Sequence, residues 1–214
     1  MITDSTLLVI GATGPTGREV LREAARRGIG VRSLARTPAA LEGVSEAGEV
    51  VRGDVLDAAS LVAACRGVDA VVSVLGSKPT RGQETLLSTG TANLIAAARA
   101  AGVSRVVVVT GMGAGDSRGH GGWFYDKLLL PLVLRKVYAD KDRQEALLRA
   151  SGLDWTIARP AFLTNGPRTA SYRALGDLTT TTRLTKISRA DVADYLVDAA
   201  LTGRDTRGVI HLTD

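Results

Sequence analysis

The chain has 214 residues, 45% of them hydrophobic, and a formal charge of +5. That is the size of one domain with a buried core, expected here over residues 1–214. One cysteine and two histidines exclude a disulfide scaffold and leave no metal site expected, no apolar run approaches the ~20 residues of a membrane span, and scattered, mostly arginine basicity with 4% aromatics disfavours a nucleic-acid groove, which interleaves cations with stacking rings.

In chain order, the opening Met1-Ile-Thr-Asp-Ser has no basic region ahead of a long apolar run. No secretory signal is read there, and a cytoplasmic setting is expected. Thr6–Ile10 reads as a strand and Thr16–Arg27 as a helix. Between them lies Gly11-Ala-Thr-Gly14-Pro-Thr-Gly17. Glycines there let the backbone turn sharply and approach a pyrophosphate, and a helix N-terminus supplies free N–H groups and partial positive charge. With a strand before it and a helix after it, the pattern predicts dinucleotide binding by Gly11, Thr13, Gly14, Pro15, Thr16 and Gly17. The bland alternative is a structural tight turn. Gly28 and Gly30 follow, where a left-handed helix cap is expected.

Val31–Ala35 reads as the second strand. Enzymes that take the coenzyme without a 2′-phosphate usually end this strand in an acid. Here it ends in Ala35-Arg36. A guanidinium holds a phosphate with paired hydrogen bonds, so NADP is expected over NAD. A plain surface arginine is the alternative, and Arg32 is at most an accessory. Glu49–Arg52 is the third strand, followed by Gly53, Asp54 and Val55. Asp54 either accepts from an adenine amino group or caps the helix Ala58–Cys65. Ala70–Leu75 is the fourth strand, and Leu75, Gly76 and Ser77 present an approachable backbone beside the adenosine ribose. The helix Gln83–Ala101 ends at a second cap glycine, Gly102.

Val106–Thr110 is the fifth strand. A glycine-rich stretch, Gly111–Gly122, follows it, then the aromatics Trp123, Phe124 and Tyr125 and the apolar run Leu128–Leu134. The aromatics either shelter a flat substrate or anchor the next segment or a dimer. Val137–Ala150 is a helix and Trp155–Ala158 a strand. Phe162–Ile187 is long and irregular, Ala190–Leu201 is the last helix with Ser188 as its cap and Asp191 three residues on, and Gly208–Leu212 is a final strand. Strands apolar at consecutive positions and alternating with helices predict a doubly wound, mainly parallel α/β sheet with helices on both faces. Loops of the length of about 111–130 and 161–188 at carboxyl ends of strands are expected to carry the substrate site.

The glycine loop, Ala35-Arg36, Gly53-Asp54-Val55, Val106-Val-Val-Val-Thr110-Gly-Met and Ser151-Gly-Leu-Asp-Trp155-Thr-Ile-Ala-Arg159-Pro160 together resemble the atypical short-chain dehydrogenase/reductases. The resemblance is to the single-domain NAD(P)H-binding group that includes NmrA-like proteins and biliverdin/flavin reductases. It implies a Rossmann-like sheet with NADP across its carboxyl edge. Thr110, Gly111 and Met112 would then border the nicotinamide on one flank, and Pro160, Ala161 and Phe162 on the other. The Tyr-x-x-x-Lys pair of typical members is absent: Tyr138 and Lys141 stand one residue too close.

On a helical wheel from Leu134, the residues Val137, Tyr138, Lys141, Glu145 and Leu148 fall within about 100° of arc. Lys141 therefore faces inward. It either bonds the nicotinamide ribose, as the family lysine often does, or pairs with Glu145. Tyr138 is a candidate proton donor, its phenolate favoured by the nearby cation, or a core residue. His120 is a candidate acid or a solvated loop side chain. The expected function is an NADPH-dependent reductase passing a hydride to a small conjugated acceptor such as a flavin, quinone or ketone. A nonenzymatic NADP(H) sensor and an epimerase or isomerase with tightly held coenzyme are the alternatives. A small-molecule partner is expected, with no nucleic acid or membrane, in a monomer or homodimer.

Overall fold

The structure is a computed structural model and describes residues 5–76 and 84–214. Eight strands form one sheet in the order β3-β2-β1-β4-β5-β6-β10-β8. These are β1 (Thr6–Ile10), β2 (Gly30–Ala35), β3 (Glu49–Arg52), β4 (Ala70–Ser73), β5 (Arg105–Val109), β6 (Asp154–Pro160), β8 (Arg173–Leu175) and β10 (Gly208–Thr213). All neighbours are parallel except β8, which runs antiparallel to β10. A separate pair, β7 (Phe162–Thr164) and β9 (Lys186–Ser188), is parallel. The helices are α1 (Pro15–Arg26), α2 (Ala58–Cys65), α3 (Leu86–Ala101), the single turn α4 (Leu130–Leu132), α5 (Arg135–Arg149) and α6 (Arg189–Thr202). A wide-turn segment, Tyr125–Leu129, leads into α4.

The consecutive apolar residues of β1 are all buried because both faces of the sheet are covered. Leu7 and Val9 pack in the layer with α1 and α6, and Leu8 and Ile10 in the layer with α2, α3 and α5. Strand order reverses between β1 and its neighbours β2 and β4, which opens a crevice at their carboxyl ends. A third, smaller cluster of Met112, Ala114, Tyr125, Leu130, Tyr138, Ala161 and Leu184 closes the sheet beyond β5 and β6.

Several boundaries differ from expectation. Gly28 is left-handed at φ +70°, but Gly30 is already in β2, paired with Thr6, so one glycine ends the first helix. Asp57, not Asp54, caps α2 by accepting from the Ala59 N–H. The fourth strand stops at Ser73, freeing Val74 and Leu75 to line the crevice. Gln83 and Ser77 lie outside the described residues. The stretch expected to be irregular, Phe162–Ile187, contains β7, β8 and part of β9. Three-residue strands carry too few alternations to register as a pattern. Ser188 caps α6 as expected, accepting from the Asp191 N–H at 2.9 Å.

Candidate coenzyme site

The turn after β1 is shaped by its glycines. Gly11 sits at φ +85°, and a Cβ there would lie 2.8 Å from the Val74 carbonyl oxygen. A Cβ on Gly17 would lie 2.2 Å from the Gly11 carbonyl, so only glycine lets α1 start this close to the turn. Gly14 is the cap residue ahead of Pro15, whose missing N–H costs nothing at the first helical position. The N–H groups of Thr16 and Gly17 belong to the first turn and have no acceptor within the helix. They give onto a cavity of about 510 Å³.

That cavity gathers Gly11, Thr13, Gly14, Pro15, Thr16 and Gly17 with Arg36, Asp54, Val55, Leu75 and Gly76. These come from four separate chain segments, and the sequence placed all of them on one sheet edge. Arg36 is exposed at the end of β2 and, among the described residues, makes no ion pair. Asp54 accepts from the Leu56 N–H at 2.9 Å through one carboxylate oxygen, which fixes its side chain at the rim. Arg32 points away, bonded to Glu49 and to the carbonyls of Ala64 and Arg66, and is no accessory to the site. Free helix N–H groups and a glycine turn that a Cβ would fill fit a dinucleotide, with the Arg36 guanidinium, unpaired among the described residues, lining the same cavity. Among the lining residues, Leu86 and Arg189 come from segments that the sequence did not connect with this site.

The second cluster lies beyond β4, outside that cavity. Met112 donates its N–H to the Pro160 carbonyl at 3.0 Å, so the chain segments leaving β5 and β6 run together. Lys141, on α5, reaches the end of β5 and donates to the Thr110 carbonyl at 2.5 Å. Gly111 at φ +142° makes room for it, since a Cβ there would lie 3.0 Å from Nζ. Burial holds the Lys141 ammonium down, to about 8, against the opposing pull of Glu145. The alternative reading of Lys141, a pair with Glu145, is not formed among the described residues. Glu145 instead accepts from Arg159 at 2.9 and 2.6 Å and from the Thr110 hydroxyl at 2.8 Å. Arg159 also pairs with Asp116. A guanidinium offers two parallel donors to a carboxylate, and that geometry outcompetes a single ammonium.

Other expectations for this side need correction. Tyr138 is buried with its Oη 2.6 Å from the Met112 carbonyl and 2.6 Å from the Tyr125 Oη. Burial pushes its phenol well above the ordinary tyrosine range, and Lys141 lies 4.5 Å over the ring rather than beside the oxygen, so the phenolate is not favoured. His120 donates from Nδ1 to the Thr182 carbonyl at 3.0 Å, tying the two long loops together rather than standing free as an acid. The three aromatics form no common wall. Trp123 and Phe124 are 72% and 66% exposed, while Tyr125 is buried. Consecutive helical residues point about 100° apart, which already forbids one shared face. Phe162 stacks edge-on against Tyr125, with ring centroids 5.1 Å apart. Met112 and Ala161 sit in the small core cluster.

Comparison with known proteins gives a consistent result. The model of a family described as NAD(P)H-binding matches residues 11–202. An uncharacterized sugar epimerase, YhfK, of Bacillus subtilis is 35% identical over 68% of this chain and 63% of its own. The (4-alkanoyl-5-oxo-2,5-dihydrofuran-3-yl)methyl phosphate reductase of Streptomyces griseus is 35% identical over 94% of this chain and 65% of its own. The chain thus spans slightly less than two thirds of these relatives. Among solved structures, the anaerobillin reductase ChuY of Escherichia coli O157:H7 superposes with a TM-score of 0.81 at 26% identity, covering 98% of this chain and 97% of that one.

Proposed function

The chain belongs to the NAD(P)H-binding family, and from that premise we propose that it is an NADPH-dependent reductase of a small conjugated acceptor, a flavin, quinone or ketone. The observation that carries the reading is Arg36, a guanidinium just past β2 with no ion-pair partner among the described residues, in a cavity it shares with the glycine turn. Reductases among its relatives support the reaction class. Residues 1–214 serve as one coenzyme-binding unit, with loops 111–130 and 161–188 on the acceptor side.

Bound coenzyme supplies the hydride. The chain's own residues bind and orient. Thr16 and Gly17 direct N–H groups at the pyrophosphate, Arg36 holds the 2′-phosphate, and Asp54, Val55, Leu75 and Gly76 bracket the adenosine. Lys141 spends one of its three protons on Thr110 and keeps two for the ribose hydroxyls beside Thr110, Gly111 and Met112. Pro160, Ala161 and Phe162 form the opposite flank. The Tyr138 hydroxyl is engaged at the Met112 carbonyl. That favours acceptors such as flavins and quinones, which take their proton from water and need chiefly orientation. Trp123 and Phe124 are exposed near this side and suit contact with a flat acceptor.

The test is steady-state NADPH and NADH oxidation with a panel of flavins, quinones and conjugated ketones. Turnover with NADPH preferred, and lost in Lys141→Ala, is expected. Tight NADPH binding without turnover on any acceptor replaces the reductase by a redox sensor. Coenzyme retained through purification with no net redox replaces it by an epimerase, the activity in the name of the Bacillus relative.

A further inference from the structure

Arg189 is the first residue of α6 and lines the coenzyme cavity. A cation is poorly placed there by local rules, because the N-terminal end of a helix carries partial positive charge. Its guanidinium hydrogen-bonds the neutral Asn165 Oδ1 at 2.6 Å, and among the described residues it has no ion-pair partner. A residue that breaks a local rule without local compensation is where a ligand is expected.

The packing says which part of the ligand it meets. α6 runs alongside α1 in the same direction. Arg27, just past the end of α1, donates to Asp194 at 2.8 Å and to Asp198 at 3.5 Å, while Glu19 and Arg22 share a groove with Ala190 at the start of α6. The start of α6 therefore stands level with the middle of α1, and Arg189 is its residue that reaches the cavity. α6 packs over β4 and β5, whereas Arg36 ends β2 on the other side of β1. The first turn of α1 lies between the two arginines.

Building on the coenzyme reading of this cavity, we propose that Arg189 is a second anion-binding residue, which closes on the pyrophosphate from the β5 side and leaves the 2′-phosphate to Arg36. Arg189 contributes to affinity without discriminating between coenzymes, and Arg36 does the discriminating. Asn165, in the neighbouring groove, accepts one N–H of the guanidinium and leaves its other N–H groups for the ligand.

The experiment measures dissociation constants of NADPH, NADH and 2′-AMP, the last carrying the 2′-phosphate but no pyrophosphate, for wild type, Arg189→Ala, Arg189→Lys and Arg36→Ala. Arg189→Ala is expected to weaken NADPH and NADH by the same factor, about 10- to 100-fold for a charge-assisted contact, and to leave 2′-AMP at the wild-type value, which also certifies the fold. Arg189→Lys recovers most of the loss. Arg36→Ala weakens NADPH and 2′-AMP and spares NADH. Unchanged NADH affinity in Arg189→Ala overturns the proposal, and so does a loss shared equally by 2′-AMP. Wild-type protein that binds neither coenzyme overturns the reading of the cavity itself, and the role of Arg189 with it.

Discussion

Gly17 and Lys141 act in different ways at the residue scale. Gly17 is irreplaceable for steric reasons, because its hypothetical Cβ meets backbone, at 2.2 Å from the Gly11 oxygen and 2.8 Å from the Ala12 Cα. Backbone cannot swing aside. Gly17→Ala is expected to cost about 1–3 kcal/mol of stability by overpacking and to abolish tight coenzyme binding, read by urea denaturation and NADPH titration. Lys141 matters through its charge. Its ammonium, held down to about 8 by burial, is protonated below that pH and donates to the Thr110 carbonyl, and above it the charge is lost. The kcat/KM profile of the proposed reductase activity, which reports the free enzyme, is expected to fall above about pH 8. Lys141→Met should remove that limb and lower the plateau by at least about tenfold. A limb that persists in the variant would assign it to another group. Arg36 was legible because its position follows from strand and glycine spacing alone. Tyr138 was legible only as proton donor or core residue, because spacing puts it on the inward face but says nothing about the Met112 carbonyl that its hydroxyl reaches.

At the scale of elements, β5, α5 and β6 are joined by a buried polar group. Thr110 just past β5, Glu145 on α5 and Arg159 on β6 are each buried, and Thr110 and Arg159 both donate to Glu145. Removing one partner strands the other charge. Arg159→Met is expected to destabilise by about 3–5 kcal/mol, whereas Arg159→Met combined with Glu145→Leu recovers most of that loss, because an apolar pair of similar volume leaves neither charge buried without its counter-ion. A urea-denaturation cycle on the four proteins checks this, and additive losses would show the two residues to be uncoupled. The long elements were readable because ten or more residues give a helix several turns of periodicity. α3 ends at Ala101 before left-handed Gly102, as its cap glycine predicts. β7, β8 and β9 are held by pairing partners distant in sequence, which no local pattern records.

For the whole molecule, β10, between β6 and β8, carries a buried histidine. His211 lies in register with Arg159, fully buried, with neither ring nitrogen hydrogen-bonded among the described residues. Burial, with Arg159 adding to it, lowers its pKa from 6.5 to about 4, against the weaker pull of Asp116 and Glu145. Above pH 6.5 the ring is neutral folded or unfolded and contributes no pH dependence. As pH falls from 6.5 toward 4 the unfolded chain takes up a proton that the folded protein refuses, so stability drops by about 3 kcal/mol across that window. His211→Leu should flatten the stability profile between pH 4 and 6.5, measured by denaturation at each pH. An unchanged slope would place the proton uptake elsewhere.

The order of strands and helices, the glycine turn, most of the groups that line the cavity and the arginine just past β2 follow from the chain alone, because each depends on contacts or spacings within a few tens of residues. The partners of the buried charges, the inward turn of Tyr125, the silence of His211 and the placement of Arg189 beside α1 were decided only when the sheet closed. Those outcomes depend on which side chain from a distant segment arrives with the better hydrogen-bond geometry, and a linear pattern does not contain that competition.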